Sequence, residues 1–177
     1  MIETDRLILR RWRSEDLDPF AAMSADPEVM RWLGGVMTRD QTLSYMRRSE
    51  LSFEETGMGR FAIAAKADGA FLGACGLMPG RRGLPWGAFI DIGWRLSRAA
   101  WGQGYASEAA RAVARDGFDR LGFSEITAIT MAINLRSRAV MVRSGFVRDP
   151  ARDFDWPESA PDDPGRPCVA YVRRRDS

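Results

Sequence analysis

Trp101-Gly102-Gln103-Gly104-Tyr105-Ala106-Ser107-Glu108 places a glycine-rich turn directly before a helical pattern. The first N–H groups of a helix have no acceptor inside it and carry partial positive charge, so an anion docked there satisfies both. Gly102 and Gly104 permit backbone closed to other residues and put no side chain between a phosphate and the amides. From Ala106 onward, Ala106, Ala110, Val113, Ala114 and Leu121 recur at helical spacing and Gly122 is a stop. Gly117 interrupts the pattern at about 1 kcal/mol relative to Ala. Upstream, Phe89 to Leu96 alternates Ile90, Ile92, Trp94 and Leu96 with Asp91, Gly93 and Arg95, the period of a strand. Strand, glycine loop and helix together predict a phosphate site.

Spacing separates the phosphate-binding classes. A P-loop ends in Gly-Lys-Ser/Thr, and the single lysine, Lys66, is far away. A dinucleotide fingerprint needs Gly or Ala at position 107, which is Ser, and an acid at the end of the next strand, where Thr127-Ala128-Ile129-Thr130-Met131 stands. After the helix comes a β-branched run from Ile126 to Ile133, then Asn134-Leu135-Arg136-Ser137, then a short apolar helix ending at Gly145-Phe146.

With Thr4-Asp5-Arg6-Leu7-Ile8-Leu9-Arg10 near the start, these motifs resemble, in order and over nearly the whole chain, the GNAT superfamily of acetyl-CoA-dependent N-acetyltransferases. The likeness is greatest to the bacterial branch that acetylates N-termini of ribosomal proteins. The resemblance implies one α/β domain over 1–177: a mixed, mostly antiparallel sheet of about seven strands, about four flanking helices, and a splayed parallel strand pair. It implies acetyl-CoA as co-substrate, bound by Trp94 and Leu96, by Trp101, Gly102, Gly104, Tyr105, Ala106 and Ser107, and by Asn134 and Ser137. The wider superfamily opens its pyrophosphate loop with Arg or Gln. Trp101 stands there in this chain, which leaves the contacts to backbone amides helped by the Ser107 hydroxyl.

The chemistry needs a proton acceptor, because an amine is an ammonium at neutral pH and attacks a thioester only when neutral. Asp91 ranks first, on the strand face opposite Ile90 and Ile92, and its competing reading is a surface carboxylate or an arginine's partner. Asp155 ranks second. Ser137 resembles the serine that protonates the leaving thiolate in the ribosomal branch; helix capping is its alternative. Asn134 resembles the asparagine that contacts the pantetheine arm, or is a turn residue. Backbone amides near the end of the family's fourth strand can hold the developing oxyanion, roughly 3 to 4 kcal/mol per donor. Trp32, Trp86 and Trp156 are candidates for the acceptor site, and Cys75 reads as a small buried hydrophobe.

Composition bounds the rest. At 177 residues and 45% hydrophobic content one domain is expected, with no metal site, because histidine is absent and Cys75 and Cys168 are the only cysteines. A net charge of +2 argues against nucleic acid, and the acidic start Met1 to Asp5 with no long apolar run argues against a signal peptide or membrane span. A cytoplasmic monomer or homodimer is expected. Asp149, Asp153, Asp155, Glu158, Asp162 and Asp163 crowd a proline-rich stretch from Asp149 to Pro167, read as an irregular loop that attracts a cationic acceptor, whether a small molecule or a protein N-terminus. Aminoglycosides, polyamines and amino acids remain alternative acceptors, and a non-catalytic acyl-CoA sensor remains an alternative function. Elsewhere, Arg6 to Arg13 reads as a strand, Ser14 caps a helix through Met23, Asp26-Pro27 opens another, and Thr38 with Gln41 forms a capping box for a helix ending at Gly57. Arg60 to Lys66 and Ala70 to Leu77 read as a hairpin, and Cys168 to Val172 as a final strand.

Overall fold

Capping chemistry sets where the helices of this chain begin. In the computed structural model, which describes residues 1–84 and 86–175, Thr38 Oγ1 accepts from Gln41 N–H at 3.2 Å while Gln41 Oε1 accepts from Thr38 N–H at 2.7 Å. They open α3 (Arg39–Thr56), which ends at Gly57 with φ 73°. Asp26 accepts from Glu28 N–H at 2.9 Å ahead of Pro27, opening α2 (Pro27–Met30). Ser14 does not cap. A 3-10 turn over Ser14–Asp16 precedes α1 (Leu17–Ser24). There the buried Asp16 carboxylate accepts from Arg13 N–H at 2.8 Å and from both prongs of Arg10 at 2.7 and 2.8 Å. A carboxylate with charge-assisted bonds outcompetes a neutral hydroxyl.

The strands are β1 (Ile2–Glu3), β2 (Leu7–Arg10), β3 (Arg60–Ala65), β4 (Phe71–Pro79), β5 (Ile90–Leu96), β6 (Glu125–Met131), β7 (Val147–Arg148), β8 (Phe154–Asp155) and β9 (Pro167–Arg174). They form one 9-stranded sheet in the order β1-β2-β3-β4-β5-β6-β9-β7, with β8 also on β9. Every pairing is antiparallel except β5 with β6. The first strand is shorter than expected, Leu7–Arg10, and the segment from Asp149 to Pro167 is more regular than expected. It holds a 3-10 turn at Pro150–Arg152, and β8 pairs with the first residues of β9. Its prolines lie outside β8, and Pro167 takes the first position of β9, which needs no donor.

Helix α4 (Tyr105–Asp119) covers one face of the sheet, burying Ala109, Ala110, Val113, Ala114 and Phe118 against Leu7, Leu9, Ile63, Cys75, Leu77, Ile92 and Ile126. Gly117 keeps this contact close: a Cβ there would meet Leu77 Cδ1 at 2.7 Å and Ile126 Cδ1 at 2.9 Å. A second cluster, Leu17, Phe20, Met23, Val29 and Met46 with Trp12, Tyr45 and Phe71, packs α1 to α3 on the opposite face. Helix α5 (Leu135–Arg143) follows β6. Among the described residues no helix is long and apolar enough to cross a membrane.

The start of α4 is tied to the N-terminus through Glu108. Its carboxylate accepts from Thr4 Oγ1 at 2.6 Å, from Arg6 N–H at 3.0 Å and from Arg6 Nε at 2.7 Å. Burial raises the Glu108 pKa, but the bonds from Thr4 and Arg6 outweigh it and leave the carboxyl below its ordinary value. A carboxyl lowered on folding stabilises the native state above its unfolded pKa and loses that contribution as pH falls through the folded value. Glu108→Gln should therefore cost about 1 to 2 kcal/mol in urea unfolding at pH 7. The gap should narrow below pH of about 4, near the unfolded glutamate pKa.

Candidate functional site

Strands β5 and β6 share one bridged pair, Asp91 with Thr127, and then part. Beyond it β5 stays with β4 as far as Leu96 and Gly73, while β6 stays with β9 as far as Met131 and Cys168. The polarity of β5 follows from its ends: Gly80 N–H donates to Phe89 C=O at 2.8 Å and Ser97 N–H to Leu72 C=O at 2.9 Å. Odd-numbered residues of β5 thus direct main-chain groups at β4, and even-numbered ones direct theirs toward β6. Past the bridge, Trp94 and the N–H of Leu96 face a widening gap with no ladder partner, since the Leu96 carbonyl accepts from Trp101 Nε1 at 2.9 Å. An extended chain bearing amides can bond there as an added strand would.

The glycine loop closes the wide end of this wedge. Gly102 and Gly104 have φ 76° and 80°, and Gly104 is the N-cap residue of α4 with no side-chain cap. Among the described residues no amide from Gly102 to Ser107 donates a hydrogen bond, and a Cβ on Gly102 would meet nothing within 4 Å. These are free donors on open backbone at a helix N-terminus, which fits a pyrophosphate. Arg6 braces the loop from outside, donating to Gln103 C=O at 2.9 Å and lying 4.7 Å from the centre of the Tyr105 ring. Tyr105 is thus a packing platform. Ser107 is buried and its hydroxyl oxygen takes a bond from Arg143 Nε at 3.3 Å, which leaves its amide and its hydroxyl proton as donors. At the start of the loop, Arg136 of α5 stacks 4.7 Å from the centre of the Trp101 ring. The sequence reading missed Arg136, which is distant in the chain and sits in a helix whose arginines look alike.

Asp91 projects from the face of β5 opposite Ile92. Arg60 of β3 pairs with its carboxylate and donates to Gly76 C=O at 2.5 Å. Gly93 makes room for this, because a Cβ there would meet Arg60 Nη1 at 2.7 Å. Burial pushes the Asp91 carboxyl above its ordinary pKa while Arg60 opposes the shift. Asp91 thus partners an arginine, half-buried beside the wedge. Arg60 was not singled out in the sequence, although a glycine inside a strand is a signal that something approaches closely.

At the far end of β6, Asn134 caps α5, accepting from Ser137 N–H at 3.2 Å and donating to Thr130 Oγ1 at 3.0 Å. Ser137 is capped rather than capping, and among the described residues its half-buried hydroxyl has no partner. Asp155 on β8 lies near that end too, since Phe154 pairs with Cys168, which pairs with Met131; its carboxylate is exposed and bound to Arg166 at 3.0 Å. Its neighbours are likewise matched: Asp149 with Arg152, Asp153 with Arg148, Glu158 with Arg81. The pull on a cationic acceptor expected from this segment is thereby reduced to Asp162 and Asp163. Trp86 and Trp156 flank Phe154 with ring centres 5.2 and 6.0 Å away, whereas Trp32 lies elsewhere, under Arg31. Burial pushes the Cys75 thiol up to about 12 and the Cys168 thiol up to about 11. Neither is a thiolate at neutral pH.

A family model described as acetyltransferase (GNAT) domain matches residues 6–147. The chain is similar to the uncharacterized protein YkkB of Bacillus subtilis, 31% identical over 144 residues that cover 81% of this chain and 83% of that protein. It is also similar to the FsC-acetyl coenzyme A-N(2)-transacetylase of Aspergillus fumigatus, 32% identical over 152 residues, 82% of this chain and 64% of that one. An acetyltransferase structure from Agrobacterium tumefaciens superposes with a TM-score of 0.79 over 98% of this chain and 94% of its own, at 24% identity. With the family match spanning both strands of the wedge and the loop between them, the chain belongs to the GNAT family and is an acetyl-CoA-dependent N-acetyltransferase.

Proposed function

We propose that this chain transfers acetyl directly from acetyl-CoA, bound in the wedge between β5 and β6, to the primary amine of an acceptor that enters from the Asp91 face. The observation that carries the reading is the run of unpartnered main chain from Trp94 and Leu96 to the amides of Gly102 to Ser107. The pyrophosphate lies on those amides with Arg136 beside it, and the pantetheine arm lies along Trp94 and Leu96 with Asn134 across the gap.

The amine nitrogen attacks the thioester carbonyl, a C–N bond forms, the C–S bond breaks, and the thiolate leaves with a proton. Asp91 accepts the proton the amine must lose, and Arg60 fixes its position. Asp155, exposed and paired, is the weaker candidate for this role. The Ser137 hydroxyl, free of other partners, returns a proton to the thiolate. Two protonated, buried thiols favour direct transfer over an acyl-enzyme. The acceptor amine belongs to a small molecule or to a polypeptide N-terminus.

Gly104→Val forces a branched residue into φ 80° and covers the amides, so acetyl-CoA should bind at least tenfold more weakly by calorimetry, about 1.4 kcal/mol, with the fold retained. Unchanged affinity would remove the pyrophosphate assignment.

Asp91→Asn should lower kcat roughly 100- to 10,000-fold with little change in acetyl-CoA affinity. In the parent, activity should fall as pH drops through the raised Asp91 pKa, and the variant should lack that limb. Activity within about threefold of the parent from pH 6 to 9 would move the role to Asp155 or water. Ser137→Ala should slow turnover less, since water can protonate a thiolate.

A further inference from the structure

Arg95 is a half-buried cation, its Nε fully buried, that the transfer reaction leaves unused. Its side chain leaves β5 on the same face as Asp91 and lies between α1 and the segment before α3. Nη1 donates to Ser24 Oγ at 3.2 Å and Met37 Sδ at 3.4 Å. The guanidinium stands 5.5 Å from the centre of the Phe20 ring and 5.0 Å from that of Tyr45. Among the described residues no carboxylate pairs with it, and its buried Nε has no hydrogen-bond partner. Burial lowers its pKa, and the nearby Arg60 guanidinium adds to that.

Most arginines here that lie near carboxylates are paired. Arg120 shows the full geometry: Nε and Nη2 hold the two oxygens of Asp116 at 2.9 and 2.7 Å. The corresponding edge of Arg95 makes no such contact. Packing alone does not explain a guanidinium placed there. It adjoins the C-terminus of α1, where a cation is welcome. Yet it donates to none of the last carbonyls, and the Ser24 carbonyl accepts from Met37 N–H at 2.9 Å instead. Nor does Asp91 balance it, since Arg60 already takes that carboxylate. This face of β5 therefore holds two half-buried guanidiniums against one half-buried carboxylate, an excess of one positive charge that a bound monoanion would neutralise.

Position indicates what that anion is. Arg95 lies four residues along the strand from Asp91, roughly 13 Å between Cα atoms, and Trp94 with its unpartnered main chain lies between them. An acceptor whose amine meets the thioester over this stretch would lay its other end against Arg95. Val36, next to the Met37 that Arg95 contacts, is exposed. A planar, singly charged carboxylate matches both the two-pronged N–H edge and the single excess charge, whereas a phosphate dianion would need a second free cation.

We propose that Arg95 determines acceptor specificity by binding a carboxylate carried by the acceptor, which makes the acceptor a small amino-acid-like amine rather than a polyamine or a polypeptide N-terminus. This rests on the proposed transfer to an amine at the Asp91 face.

The test measures kcat/KM on the full chain with acetyl-CoA for the common amino acids, their carboxamides, and the amines left after decarboxylation. The parent should prefer the free carboxylate by roughly tenfold or more over the matching carboxamide. Arg95→Gln should collapse that ratio to within about threefold and Arg95→Lys should retain part of it, both with acetyl-CoA affinity unchanged as the check on folding. Equal use of carboxamides by the parent, or full preference retained by Arg95→Gln, would overturn the proposal. If Arg95→Gln does not fold, the parent's own ratio and Arg95→Lys decide it. A second readout needs no turnover: binding of N-acetylglycine against N-acetylglycinamide to the CoA-bound protein, by calorimetry. Discrimination there without acetylation of any amine would keep the carboxylate site and sink the transfer reading. Acetylation of carboxamides and polyamines alone would do the reverse.

Discussion

The single bridge between Asp91 and Thr127 governs the molecule. Here β5 belongs to β4 and β6 belongs to β9 over their whole lengths, while β5 and β6 meet at that one bridge. Once the two ladders diverge, main-chain donors and acceptors open toward a gap inside the domain. Such groups need partners. Trp101 Nε1 takes the Leu96 carbonyl, and the next turn of the chain brings the uncapped amides of α4 to the mouth of the gap. A long substrate with amides at one end and phosphates at the other completes the hydrogen bonding that the fold leaves open.

Charge is distributed on the same logic. Carboxylates near the site are claimed by arginines: Glu108 by Arg6, Asp16 by Arg10, Asp153 by Arg148, Asp155 by Arg166. These pairs brace loops and strand ends and largely cancel the field of the acidic segment. Three side chains near the wedge stand out. Asp91 is half-buried with its partner beside the wedge, while among the described residues Arg95 on the same face and Arg136 of α5, stacked on Trp101, have no carboxylate partner. Isolated charge is costly inside a protein and unremarkable at its surface, so Arg95, with its buried and unpartnered Nε, says more about a ligand than the exposed acids do.

Much of this was legible in the chain before any coordinates. Gly102 and Gly104, alternation from Ile90 to Leu96, and helical spacing after Ala106 are local signals, and each sits on the element expected of it. Asp91 was found because period-two alternation puts it opposite Ile92. The α3 capping box and the Asp26-Pro27 start are equally local and equally well placed. What escaped depends on distance. Arg60 reaches Asp91 across 31 residues, the Arg81 pairing with Glu158 spans 77, and nothing near either predicts its mate. Gly117 looked like a defect because its reason, the nearness of Leu77 and Ile126, lies on other strands. Ser14 gives way to a 3-10 turn closed by the Asp16 carboxylate, which takes the Arg13 N–H and is held by Arg10.

The central claim is that acetyl-CoA occupies the wedge, with its arm on β5 and its phosphates on the loop. Amide chemical shifts of uniformly 15N-labelled protein, followed by NMR while acetyl-CoA is added, test it directly. The largest changes should fall on Gly102 to Ser107 together with Trp94 and Leu96, leaving β1, β2 and the outer edge of β9 nearly still. Changes confined to the loop with Trp94 and Leu96 unmoved, or changes centred on another part of the sheet, would contradict it.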